Sequence, residues 1–351
     1  DSRHYVIVSE ELGEIQQSYK GQRATEIDVS SVDTTNFDVI DLIADEDVVI
    51  TLSEDGFTKR MPLDTFRRQK RGGRGVKGGA NKREDHIKRM MVASTHDTLL
   101  LFSNKGKVFA MKVHELPEAS RESRGKSLKA LINLSGEEKI SAMAAARDFD
   151  GEQALVMVTR EGILKKCDLS VFQSARKGGI IAVNLRKEDE LIEVRLVGPK
   201  DDILIASRMG NGLRTNLAKM RSQGRTAAGI IGMRLDQDDS IVGMDVVRPK
   251  SSLLVISEKG FGKRVAYSNF PTKGRGGKGM TYMKITDKNG PAVKVASVDE
   301  GDDVVIIAHS GMAIRMQSKE ISQIGRATVG VKLVNLGNED RVRDVAILSE
   351  A

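Results

Sequence analysis

The sequence predicts an all-β fold of six repeats, and three observations carry that prediction. An apolar run ended by a glycine recurs six times, a second glycine follows each first one at a near-constant distance, and helical periodicity is confined to the first turns of the chain. The runs are Val48–Leu52 before Gly56, Leu99–Phe102 before Gly106, Leu155–Val158 before Gly162, Ile203–Ile205 before Gly210, Leu253–Ile256 before Gly260 and Val304–Ile307 before Gly311. Short β-branched and leucine runs closed by a glycine turn read as buried strands entering hairpins. Successive first glycines stand 50, 56, 48, 50 and 51 residues apart.

The second glycines, Gly75, Gly125, Gly229, Gly279 and Gly330, each follow 19 residues later, and Gly179 follows after 17. A period near 50 with several strands per unit suits blades of a propeller-like ring, in which each unit buries its faces against its neighbours. Further strands are expected ahead of the buried runs at Met90–Ala93, Ile192–Val197, Val242–Val247 and Val293–Val298. The closing segment Val342–Leu348 resembles these lead-in segments, so the count is six blades of about four strands over residues 37–351.

Residues 1–36 stand outside the repeat. Val8, Leu12, Ile15 and Tyr19 form an i, i+4, i+7, i+11 stripe, which predicts an amphipathic helix, and Thr34–Phe37 reads as a linker. The first residue is Asp1, which suggests a piece of a longer polypeptide.

Composition narrows the function classes. The chain of 351 residues carries net charge +7 although 49 residues are acidic, so the basic excess is local and suits a polyanionic partner. Cys167 is the only cysteine, which excludes an internal disulfide and a Cys-rich zinc site and points to a reducing, cytoplasmic setting. No apolar stretch approaches the roughly 18 residues that would cross a membrane as a helix.

Aligned on the first glycine, the residues four places on are Arg60, Ala110, Lys166, Arg214, Arg264 and Arg315. Four places before the second glycine stand Arg71, Arg121, Ala175, Arg225, Arg275 and Arg326, with Arg176 one place later in the shortened third unit. Arg124, Lys126, Lys177 and Lys278 lie beside the second glycines. Two cation sets in register with the fold predict a basic rim that contacts phosphates without reading bases.

The densest run lies between Phe66 and Arg83. Arg67, Arg68, Lys70, Arg71, Arg74, Lys77, Lys82 and Arg83 are interleaved with glycines and no acid intervenes. Glycine lets backbone N–H groups approach a phosphate, and arginine adds a forked donor. With no tryptophan and only Phe66 nearby, stacking platforms for unpaired bases are missing, which favours duplex over single-stranded DNA.

Other motifs carry less. Gly73-Arg74-Gly75-Val76-Lys77-Gly78 satisfies GxGxxG, but the spacing repeats at Gly274, Gly276 and Gly279 and neither copy leads into a helix pattern. The tyrosines Tyr5, Tyr19, Tyr267 and Tyr282 and the five histidines are scattered without catalytic or metal-ligand spacing. Cys167 follows two lysines, yet a lone thiol on a strand is more often packing.

Gln69-Lys70-Arg71-Gly72-Gly73-Arg74-Gly75 closely resembles the box of the C-terminal domain of the DNA gyrase A protein, and Asp47–Pro62, His96–Pro117 and Pro271–Gly290 resemble other segments of that domain. Tyr5–Ile27 resembles the end of the coiled-coil helix that precedes it. The resemblance implies a six-bladed β-pinwheel whose blades exchange strands or hairpins, and duplex DNA wrapped around a basic perimeter with one handedness. It further implies no catalysis in this domain, which would be monomeric when isolated. Its partners would be the rest of the gyrase A protein, together with gyrase B, in a cytoplasmic, nucleoid-associated heterotetramer, a type II topoisomerase whose ATP and magnesium act elsewhere. The box would lie on the first blade and close the ring against the last. Lys70 stands where the family has arginine and loses the fork, and an acidic tail would be absent after Ala351 or removed. Two other readings are the homologous domain of topoisomerase IV and a propeller scaffold for acidic proteins.

Overall fold

The computed structural model describes residues 2–19, 21, 39–63, 87–120, 122–310, 312–337 and 339–348, in two compact units, 1–42 and 43–351. In the first unit the amphipathic stripe forms a helix, Ser2–Ser18, with Val8, Leu12 and Ile15 exposed. The linker at Thr34–Phe37 lies outside the described residues.

The second unit contains six antiparallel sheets, one per repeat. Each is built on a hairpin whose first strand is the apolar run: Asp47–Ser53, Thr98–Ser103, Ala154–Thr159, Asp202–Ser207, Ser252–Ser257 and Asp303–Ala308. Its return strands are Phe57–Pro62, Lys107–Lys112, Ile163–Asp168, Asn211–Asn216, Phe261–Ala266 and Ala313–Gln317. The middles of these strands are almost continuously apolar because both faces are covered. Leu99 and Leu101 pack towards the first blade, whereas Leu100 and Phe102 pack towards the third. Similar cores fill the interfaces between blades three and four, four and five, and five and six. Burying one such side chain contributes about 1.5–3 kcal/mol, so blade-to-blade packing is the main source of cohesion.

The lead-in strands do not belong to the unit they precede. Ile87–Ser94 pairs with Asp47–Ser53 of the first hairpin, and Ile140–Ala146, Leu191–Val197, Ile241–Val246, Ala292–Val298 and Val342–Leu348 pair likewise with the hairpin before them. A chain of such units therefore ends on a lead-in strand, which accounts for Val342–Leu348. These six strands pack against one another in turn around the axis, the last against the first. Across that seam Arg343 Nη2 stands 3.6 Å from Glu54.

The outermost strand of a blade comes from the following repeat. Lys126–Ser127, just after Gly125, pairs with Phe57–Thr58 of the first blade. Ile180–Ile181, Ile230–Ile231, Met280–Thr281 and Val331–Lys332 do the same for blades two to five. The second glycine makes the crossing possible. Gly279 has φ +78°, and a Cβ there would lie 2.5 Å from the Gly212 carbonyl. Blades one to five thus have four strands, and the sixth has three among the described residues.

Candidate nucleic-acid interface

Four of the five cations of the first set, Arg60, Lys166, Arg214 and Arg264, face the next blade rather than solvent, which corrects their expected place on the rim. They lie in the return strands, and their side chains end on the 3-10 turn of the following repeat, whose last carbonyls lack helical partners. Arg60 Nε donates to the Leu116 carbonyl (3.0 Å) and its guanidinium pairs with Glu118 (3.1 Å). Lys166 Nζ donates to the carbonyls of Leu217 (3.2 Å) and Met220 (3.4 Å). Arg214 reaches those of Tyr267 and Phe270 while Nε pairs with Asp202 at 2.7 Å, and Arg264 Nε donates to the Ile321 carbonyl at 2.9 Å. Lys166 and Arg264, 9% and 6% exposed, have almost no surface to offer a phosphate. Arg315 is more open and pairs with Asp303 of its own blade (Nε 3.1 Å).

The second blade has Ala110 at this position, and the missing cation is supplied from elsewhere. Arg176 Nη1 donates to the carbonyls of Gln173 (2.8 Å) and Ala175 (2.7 Å), at the end of the turn Leu169–Phe172. The turn of the third repeat is thus capped from within its own repeat, where the others are capped from the blade before.

The second set lies at the outer edge, in the loops that lead into the exchanged strands. Arg176, Lys177, Arg275 and Lys278 are exposed, as are Arg124 and Lys126. Arg225 and Arg326 are half-buried, and each Nη1 donates to the exchanged strand of the repeat before it: Arg225 to the Ile181 carbonyl (3.3 Å) and Arg326 to that of Thr281 (3.0 Å). The perimeter is thus cross-linked from one blade to the next. Arg124 stacks 3.9 Å above the Phe57 ring and pairs with Asp55 at 2.6 Å, Lys177 pairs with Glu115 at 2.5 Å, and Lys278 pairs with Asp236. Exposed pairs of this kind are worth little and exchange readily for another anion. Arg121, Arg67, Arg68, Lys82, Arg83, Lys77 and the box Gln69, Lys70, Arg71, Gly72, Gly73, Arg74, Gly75 lie outside the described residues.

Sequence reasoning missed three buried lysines. Lys59, Lys165 and Lys263 precede the first-set cation in blades one, three and five, and are 6%, 1% and 0% exposed. The dipeptides Lys59-Arg60, Lys165-Lys166 and Lys263-Arg264 were the available signal, because neighbours on a strand point to opposite faces. It missed also the axial charges. Glu193 accepts from Arg89 Nη1 (3.0 Å) and Arg195 Nη1 (2.7 Å), and Arg195 Nε pairs with Asp245 (2.9 Å). Burial would push the Glu193 carboxyl up, but Arg195, Arg89 and Lys294 outweigh it and hold it at about 2.

The GxGxxG copy at Gly73–Gly78 lies outside the described residues. Gly274, Gly276 and Gly279 lead into the strand Met280–Thr281, not a helix. Cys167 is fully buried, and burial pushes its thiol up. Among the described residues no group of three or more His, Cys, Asp or Glu could hold a metal ion, and no helix is long and apolar enough to cross a membrane.

Comparison with known proteins matches the repeats one by one. The family described as DNA gyrase C-terminal domain, beta-propeller, covers residues 47–94, 97–147, 153–197, 201–248, 251–299 and 302–349. The DNA gyrase A protein of Leptospira biflexa serovar Patoc is 59% identical over 346 residues, 98% of this chain and 41% of that protein. Its Salmonella typhimurium counterpart is 38% identical over 96% of this chain and 38% of its own length. The chain thus spans about two fifths of these relatives. A solved DNA gyrase A C-terminal domain superposes with TM-score 0.73 at 26% identity, covering 87% of this chain and all of that one. The C-terminal domain of DNA topoisomerase IV shares the fold, with TM-score 0.71 at 24% identity over 87% of this chain and 94% of that one. With all six blades matched in order, the chain belongs to the DNA gyrase C-terminal domain family of β-propellers.

Proposed function

We propose that this propeller binds duplex DNA along its outer edge, bends it and wraps it with one handedness, as the wrapping part of a gyrase A protein that works with gyrase B. On this reading the domain contributes no chemistry. It presents a DNA segment to a cleavage core elsewhere in an ATP- and magnesium-dependent type II topoisomerase, so that negative supercoils are introduced.

The observation that carries the proposal is the second cation set, six exposed cations from Arg124 to Lys278 with Arg225 and Arg326 linking adjacent blades. These exposed cations come from the second, third and fifth repeats and stand at different places around their glycines, an array that suits a phosphate backbone and carries no base code. The return strand Ala313–Gln317 of the sixth blade has no outer strand among the described residues. In the repeat register the segment after Gly75 corresponds to the five segments that fill this edge elsewhere, which supports a role for the box in closing the ring.

A salt titration of duplex binding tests the proposal. With six to ten phosphate contacts, affinity falls about 10³ to 10⁵-fold between 50 and 200 mM salt. A shallow slope, or no residual sign of supercoiling after relaxation of plasmid bound by the domain, refutes wrapping. Replacing Gly72–Gly75 by alanine in the full-length gyrase A protein should abolish supercoiling and spare relaxation; retained supercoiling would favour a topoisomerase IV-like role.

A further inference from the structure

We infer that Lys59, Lys165 and Lys263 are positioning residues that clasp alternate DNA-contact loops, so that among the described residues three perimeter loops are tethered and those on blades two and four are seated by apolar contact. The inference rests on the proposed duplex binding and adds which residues hold the cations in place.

Each of these lysines reaches the loop of the following repeat that ends at its second glycine. Lys263 Nζ donates to the carbonyls of Gly325 (2.9 Å), Arg326 (2.7 Å) and Thr328 (2.9 Å), with Thr328 Oγ1 at 3.0 Å. Lys59 Nζ donates to the carbonyls of Ser120 (2.8 Å) and Ser123 (2.6 Å). Lys165 Nζ donates to the carbonyl of Arg225 in that loop and to that of Ala182 (2.7 Å), which follows the second glycine of its own repeat. An ammonium has three hydrogens and no acceptor, so a buried lysine is held only where several oxygens converge, and the loop main chain supplies them.

The geometry orients the loop. With main-chain oxygens at 325, 326 and 328 drawn inward, the Arg326 side chain stays at the edge, half-buried and bonded to the neighbouring outer strand. Lys165 holds Arg225 by its own carbonyl in the same way.

The even blades show the alternative. At the equivalent position they carry Phe109, Leu213 and Ile314, three residues after the hairpin glycine as Lys59, Lys165 and Lys263 are. In blade two the loop is seated on the Phe109 ring, 2.5 Å from where a Cβ on Gly179 would stand. The fold therefore accepts an apolar residue here, and Lys263→Leu copies what blade four already has.

The test compares the 351-residue chain with Lys263→Leu and with a triple variant changed to leucine at 59, 165 and 263. Hydrogen exchange without DNA should accelerate at residues 323–330 in the single variant and leave 273–279 at the wild-type rate. The log–log salt slope of duplex binding should fall by about one in the single variant and about three in the triple. Glu193→Gln, which disturbs the axis and no perimeter loop, should retain the wild-type slope. Unchanged exchange at 323–330, an unchanged slope in the triple variant, or an equal loss in Glu193→Gln each overturns the clasp. A wild-type chain with no salt-dependent duplex binding overturns the DNA reading instead, and the exchange data distinguish the two failures.

Discussion

Arg264→Met separates the two cation sets experimentally. The wild-type Nε donates to the Ile321 carbonyl at 2.9 Å, and both residues are buried, Arg264 at 6% exposure and Ile321 at 0%. Methionine retains most of the apolar stem, so the loss is chiefly the charge-assisted hydrogen bond, and the carbonyl it leaves buried without that donor costs about 1–3 kcal/mol. That cost falls on the interface between blades five and six and should appear as a lower urea midpoint with an unchanged slope of unfolding. Duplex affinity should keep its salt dependence, because the side chain has no phosphate to lose. Arg275→Met should show the converse, with stability within about 0.5 kcal/mol of wild type and a salt slope lower by about one. If Arg264→Met were as stable as wild type but lost about one unit of salt slope, the assignment of the first set to inter-blade contacts would be wrong.

Two glycines with similar φ should differ sharply. Gly56→Ala, at φ +82° with open space around the new Cβ, should cost about 1–2 kcal/mol, and Gly279→Ala, whose Cβ meets the Gly212 carbonyl at 2.5 Å, about 3–5 kcal/mol by thermal unfolding. Glu193 makes stability acid-sensitive: its carboxyl is held at about 2 against an ordinary 4.5, so its contribution is complete above pH 4.5 and is lost as the pH falls towards 2. That shift corresponds to about 3 kcal/mol, and Glu193→Gln should flatten the acid limb of stability against pH. Cys167, buried with a raised thiol, should resist alkylation at neutral pH and react on unfolding, as followed by mass spectrometry.

What was legible in the sequence followed from burial on both faces. Runs such as Leu99–Phe102 are continuous because two neighbouring blades cover them, and glycine spacing measured the repeat directly. Pairing was less legible. Whether Ile87–Ser94 joins the hairpin before it or after it is a question of connectivity, which an apolar pattern does not encode. The exchanged strands are two residues long, as in Ile180–Ile181, too short for any period to show. The cation register was visible, but its direction was not, because the face of the return strand that carries Arg264 becomes an interior only when the next blade packs on it.

A ring whose blades meet face to face brings a turn ending in unpaired carbonyls to each interface, and Arg60, Lys166, Arg214 and Arg264 answer them. Cations in register are therefore expected in a ring of this construction even without a polyanion. DNA binding must rest on those left exposed, and these cluster beside the second glycine, where the chain crosses to the neighbouring blade. Arg176 lies on the boundary between the two roles, exposed at the edge while it caps Gln173 and Ala175. A phosphate that recruited Arg176 would draw it from that cap, so the edge of blades two and three should hold DNA less tightly than that of blades four and five, where Arg275 is exposed and caps no such turn. Footprinting of a bound duplex at rising salt should lose protection first over the segment that crosses blades two and three, and uniform loss around the ring would refute that asymmetry.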